Sequence, residues 1–148
     1  MTLNQFLVKA KINTYASSGE GGEKDLEDGS RELVFQEGDF RYRDRYFGSD
    51  TFIGEEVVWK DGKPMWLMNY YGRITSESVP AEEMYQFLQK AMRQITEERP
   101  FRGPSKLKEG EFEYIDSSHG AVDDFGGNEK IFYKGEEVYR LYYHGGMI

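Results

Sequence analysis

The sequence predicts an α+β domain in which one unit occurs twice, αβββ-αβββ, with an antiparallel sheet and two packing helices. Three observations lead there. "EGDFRY" at 37–42 returns as "EGEFEY" at 109–114. Two segments, one ahead of each copy, carry apolar residues at helical spacing. The stretches that follow alternate apolar with polar residues and turn at hairpin signals such as Asp61-Gly62.

The repeat extends beyond the short phrase. "EGDFRYRDRYFG" (37–48) lies over "EGEFEYIDSSHG" (109–120) with six of twelve positions shared. Phe52-Ile53-Gly54 then matches Phe125-Gly126-Gly127. "EEVVWKDGKPMWLMNYYG" (55–72) lies over "EKIFYKGEEVYRLYYHG" (129–145), and "QFLVKA" (5–10) over "QFLQKA" (86–91). The matches keep one order, which predicts an internal duplication: residues 1–148 as a single domain of two repeats, about 2–74 and 80–148. A chain of 148 residues is ordinarily one domain. Residues 37–74 are then expected to superpose on 109–148.

The first helix is expected from Thr2, because Thr2-x-x-Gln5 is a capping box. Leu3, Phe6, Leu7 and Ala10 form its apolar stripe. "SSGEGGEKDLEDGSRE" (17–32) is Gly-rich, acidic and aperiodic, and reads as a loop. Phe40 and Tyr42 alternate with Asp39, Arg41 and Arg43 in a strand, as Phe112 and Tyr114 do with Glu111 and Glu113. Asp61-Gly62 and Lys134-Gly135 supply the hairpin turns. The second helix is expected near Pro80, with Glu82 and Glu83 at the positive end of its dipole. Its stripe is Met84, Phe87, Leu88, Ala91, Met92 and Ile95, and it must stop before Pro100.

The last strand of each copy separates two faces, since side chains alternate along a strand. Trp66, Met68 and Tyr70, with Tyr139, Leu141 and Tyr143, make an apolar face expected to pack under helices. The other face takes Met65, Leu67, Asn69 and Tyr71, with Val138, Arg140, Tyr142 and His144. Amide, guanidinium, phenol and imidazole among apolar neighbours are what a pocket or an interface presents. Asn69, Tyr71, Arg140, Tyr142 and His144 are therefore the candidate ligand-binding residues. Arg140 would hold a carboxylate or phosphate, the tyrosines an apolar body, and His144 would titrate near neutral pH. A core edge with polar groups reaching water would have the same composition.

Composition narrows the function. A net charge of −8 argues against direct binding of nucleic acid, which needs a basic patch. Without cysteine there is neither a disulfide nor a thiolate. The N-terminal stretch is broken by Asn4, Gln5, Lys9 and Lys11, so it is no signal peptide, and no run approaches a membrane span. A cytoplasmic protein is expected. Aromatic residues make up 16% of the chain, which suits an apolar cleft or an interface. Two histidines without cysteine do not make a zinc site, and the acidic loops lack calcium spacing, so no metal and no cofactor is expected. No phosphate-binding glycine loop is present. Asp116-Ser117-Ser118-His119 holds triad residue types, but adjacency is not triad geometry. Asp44 occupies the place of Asp116 in the first copy, so an Asx-turn is the simpler reading. Glu55 and Glu129 also correspond and could act as acid and base, or be exposed strand starts.

"EGDFRYRDRYFG", "GEEVVWKDGKPMWLMNYYGR", "PFRGP" (100–104) and "YYHGG" (142–146) resemble an uncharacterised bacterial and archaeal domain family of unknown function. The resemblance covers about residues 3–148. Some members of that family follow a helix-turn-helix domain and are labelled transcriptional regulators, which implies a sensing or dimerising module. A DNA-binding role is not expected from this sequence, in which no helix-turn-helix segment is read ahead of the domain, and the family offers no catalytic residues to carry over. The expected function is a small-molecule or peptide binding module with an aromatic-lined cleft. The alternatives are an enzyme using Glu55, Glu129 or His144, and a homodimer joined through the mixed face.

Overall fold

The computed structural model describes residues 1–16 and 22–148. Helix α1 (Leu3–Ile12) begins at the expected capping box: Thr2 accepts from the Gln5 backbone N–H, and the Gln5 side chain accepts from the Thr2 N–H. Five strands follow, β1 (Lys24–Asp25), β2 (Arg31–Glu37), β3 (Phe40–Gly48), β4 (Thr51–Lys60) and β5 (Lys63–Ile74). Helix α2 (Ala81–Met92) then leads to β6 (Lys106–Glu109), β7 (Phe112–Ala121), β8 (Asp124–Tyr133) and β9 (Glu136–Met147).

All nine strands belong to one antiparallel sheet, in the order β1-β2-β3-β4-β5-β9-β8-β7-β6. Each run of strands is a meander, because tight turns, of two residues everywhere except the five between β1 and β2, return the chain beside itself. Asp61 and Gly62 both have positive φ, as do Lys134 and Gly135, which is the backbone that tight hairpins need. The two meanders join at the centre, where β5 pairs with β9 from Trp66↔Met147 to Ile74↔Tyr139.

This corrects the expected fold class. The protein is mostly one nine-stranded sheet with two short helices, of ten and twelve residues, and not an internally duplicated αβββ-αβββ α+β fold. Five strands precede α2 and four follow it. The sequence reading counted three in each part because it missed the short, charged strands. Part of the presumed loop forms β1 and the start of β2, where a short apolar run, Leu33-Val34-Phe35, is flanked by Arg31-Glu32 and Gln36-Glu37. The remainder of that loop, 17–21, lies outside the described residues. Helix α2 also stops at Met92, three residues short of the last apolar position, although Ile95 is still buried.

Both helices cover the same face. Phe6 of α1 stacks on Phe40 at 4.9 Å, and Phe87 of α2 stacks on Phe112 at 4.9 Å. The segment after α2 crosses that face as well, with Phe101 stacked on Phe125 at 4.3 Å. Trp66, Met68, Tyr70, Tyr139, Leu141 and Tyr143 all lie buried here, as alternation requires. The opposite face leaves Phe47, Ile53, Tyr71 and Tyr142 exposed.

Candidate functional site

The inner face carries more than apolar side chains. Cross-strand register sets Asp44 directly opposite Glu56, and Asp116 directly opposite Glu129. All four are buried. Like charges placed so cannot both ionise cheaply. The surrounding groups settle which carboxylates receive a cation. The ammonium of Lys11 projects from α1 and pairs with Glu56 at 3.1 Å, and Arg102 pairs with Glu129 at 2.6 Å. Arg99 stands 3.6 Å from Asp116. Among the described residues Asp44 has no cation within ion-pair distance.

Five tyrosines complete the network by donating to these acids. Tyr42 donates to Glu56 at 2.7 Å, while Tyr114 and Tyr139 donate to the two oxygens of Glu129 at 2.5 and 2.8 Å. Tyr70 donates to Asp44 at 2.5 Å and Tyr143 to Asp116 at 2.8 Å. Two glycines make room for the last two. A Cβ on Gly54 would stand 2.6 Å from the Tyr70 hydroxyl, and one on Gly127 would stand 2.4 Å from that of Tyr143.

Burial pushes the Asp44 carboxyl up to about 8, with the neighbouring charge of Glu56 adding to it and the Tyr70 hydrogen bond opposing it. Burial and Glu129 likewise push Asp116 up to about 7. Lys11 is held below the usual lysine range by burial, against the pull of Glu56.

Part of this network faces open space. Between α2 and strands β2 to β5 lies a cleft of about 340 Å³. Its apolar wall is Leu33, Phe52, Tyr85, Leu88 and Met92, and its polar floor is Tyr15, Asp44, Tyr70 and Arg102. At the mouth, Tyr46 donates to Glu23 and lies under the Arg31 guanidinium. Arg102 sits between two rings, 5.3 Å from the centre of Tyr15 and 5.9 Å from that of Tyr70. The Tyr15 hydroxyl and the Arg102 Nε are buried and have no hydrogen-bond partner among the described residues.

The residues singled out from sequence stand on the other face. Asn69 pairs with His144 and Tyr71 with Tyr142 across β5 and β9. These four line an open depression of about 560 Å³ together with Arg45, Phe47, Ile53 and Glu55. Arg140 is on the same face but outside the depression, where it donates to Glu137 at 2.5 Å. Val138, read with that set, is fully buried beside a register shift in the β8–β9 pairing. Glu55 is half-buried and faces Arg43 and Arg45, so Glu56, and not Glu55, is the buried counterpart to Glu129. Asp116 is held by Tyr143 and takes part in no triad with His119. Among the described residues no three His, Asp or Glu side chains gather as metal ligands.

Sequence reading did not find the inner site. Its signals were present: an arginine between Pro100-Phe101 and Gly103-Pro104, and acids in phase with the buried positions of their strands. Counting period two from Tyr42 puts Asp44 on the inner side, and counting back from Val58 does the same for Glu56.

No curated protein and no solved structure matches the chain significantly. A family model does match, over residues 44–148. That stretch opens at Asp44 and includes Glu56, Tyr70, Arg102, Asp116 and Glu129, but neither Lys11 nor Tyr15. The chain belongs to the family described as a domain of unknown function, DUF5680.

Proposed function

We propose that the protein is a small-molecule binding module and that its site is the inner cleft. The observation that carries this reading is the pairing of an aromatic-walled cavity with two buried polar atoms on residues that line it, the Tyr15 hydroxyl and the Arg102 Nε, which lack a hydrogen-bond partner among the described residues. Buried polar atoms are nearly always satisfied, so an open pair facing a cavity favours a ligand that satisfies them. The sensing role implied by the resemblance to regulator-linked domains of bacteria and archaea fits this arrangement. So does a cytoplasmic location, for a cysteine-free chain in which, among the described residues, no helix is long and apolar enough to cross a membrane. The charge of −8 favours a ligand over direct contact with nucleic acid.

A fragment screen by ligand-observed NMR tests the site. Leu88→Trp fills the cleft and is expected to abolish the hits, while Tyr71→Ala with Tyr142→Ala leaves them. The reverse pattern would move the site to the outer face, where the sequence reading placed it.

A second reading concerns that outer face. Phe47, Ile53, Tyr71 and Tyr142 stand in register across four neighbouring strands, and each is at least 41% exposed. A contiguous apolar row favours self-association into a homodimer.

A further inference from the structure

Resting on that ligand-binding reading, we propose that the cleft takes an uncharged, flat apolar molecule. Its buried end carries a carbonyl oxygen, received by Tyr15, Asp44 and the Arg102 Nε. The argument begins with what each floor group lacks. The Tyr15 hydroxyl and the Arg102 Nε–H are both donors, and neither has an acceptor among the described residues. Among the described residues, Asp44 is the acid of the network with no cation within ion-pair distance, because Lys11 is taken by Glu56 and Arg102 by Glu129. One Asp44 oxygen already accepts from Tyr70. With its carboxyl pushed up to about 8, Asp44 carries a proton at neutral pH and is a third donor. The unpaired acceptor nearby, Oε2 of Glu56, does not belong to the cleft lining.

Charge selects further. Lys11 with Glu56, and Arg102 with Glu129, cancel in pairs, so a floor with Asp44 protonated is neutral. An ammonium would enter beside the Arg102 and Lys11 charges, and could pair with Asp44 only by expelling its proton. A carboxylate would enter beside Glu56 and Glu129 and find every buried cation already paired. An uncharged carbonyl oxygen avoids both costs, and its two lone pairs can accept from two of the three donors that line the same cleft. Phe52, Tyr85, Leu88 and Met92 then cover the body of the molecule.

The test uses four probes on one ring system: 2-acetonaphthalene, 2-ethylnaphthalene, 1-(2-naphthyl)ethylamine and 2-naphthoate, titrated into the full chain. The ketone is expected to bind about tenfold tighter than the hydrocarbon, and tighter than the amine and the acid. Tyr15→Phe keeps the ring and removes one donor; it should weaken the ketone about five- to tenfold and leave the hydrocarbon unchanged. Raising the pH from about 6 to about 10 should weaken the ketone alone as Asp44 ionises, and Asp44→Asn should remove that dependence. The groups facing Asp44 in that titration are Glu56, Tyr70, Arg102, Lys11, Tyr15, Tyr42 and Tyr46. Hydrocarbon and ketone binding alike would sink the oxygen assignment while keeping the cleft as a ligand site. A tighter amine or acid would do the same. If no probe binds, and screened fragments are indifferent to Leu88→Trp, the ligand-site reading itself falls.

Discussion

Glu129 shows how far a single side chain can organise a core. It is fully buried, yet three donors meet it: Tyr114, Tyr139 and Arg102. Glu129→Ala would leave the Arg102 charge buried without a partner. Urea unfolding should show a loss of about 3–5 kcal/mol. A loss below about 1 kcal/mol would mean the network contributes little beyond packing. Asp44 has the opposite character. Its folded value of about 8 lies above the ordinary 3.8, so the folded protein retains a proton that the unfolded chain releases. The contribution to stability is fully present below about pH 4 and is lost as pH rises toward about 8. Asp116 acts in the same direction, toward about 7. Asp44→Asn keeps an acceptor for Tyr70 and removes the ionisation. At about pH 9 the variant should exceed the parent by about 1–3 kcal/mol, and at about pH 4 the difference should vanish. Equal pH slopes in the two proteins would show that Asp44 ionises freely in the fold.

At the scale of elements, α1 is joined to the sheet by one buried cation. Lys11 is fully buried, donates to the Phe101 carbonyl, pairs with Glu56 and lies 5.4 Å from the centre of the Trp66 ring. Helix, strand β4, strand β5 and the segment after α2 therefore meet at one ammonium. Lys11→Met preserves the length of the side chain and leaves Glu56 with Tyr42 alone. The cost is expected to be about 3–5 kcal/mol, with early exchange of the α1 amides. Undiminished α1 protection would place the helix's anchorage in Phe6 and Leu7 instead. The capping box at Thr2 matters less: Thr2→Ala should cost about 1 kcal/mol.

The whole molecule is held by the β5–β9 pairing, because both meanders end there. One continuous sheet should unfold in one step. Denaturation followed by far-UV circular dichroism and by tryptophan fluorescence should give superimposable curves. Trp59 and Trp66 lie on opposite faces of the first meander. Separate transitions would mean the two meanders are independent units. Amide exchange should be slowest in β5 and β9 and fastest in the edge strands β1 and β6. On the outer face, Tyr71→Asp with Tyr142→Asp should shift a concentration-dependent dimer to monomer in sedimentation, with the melting temperature of the monomer unchanged. A protein that is monomeric at all concentrations would remove the homodimer reading.

The sequence by itself determined the capped first helix, the hairpin turns, and the division of β5 and β9 into a buried and a mixed face. Each follows from local physics: a side chain reaching a backbone N–H three residues away, a glycine at positive φ, and the period of two along a strand. The tertiary structure decided that the strands form one sheet, that both helices cover one face, and that the exposed set at Asn69, Tyr71, Tyr142 and His144 lies opposite the better-enclosed cleft. It also overturned the duplicated unit, because similar phrases specify similar hairpins and say nothing of how many short, charged strands join them. The inner network belongs to this second class. Whether Asp44 faces Glu56, and whether Lys11 and Arg102 arrive from α1 and from beyond α2, depends on register and on helix docking. Those are long-range choices, and only they give a buried carboxyl its charge or its proton.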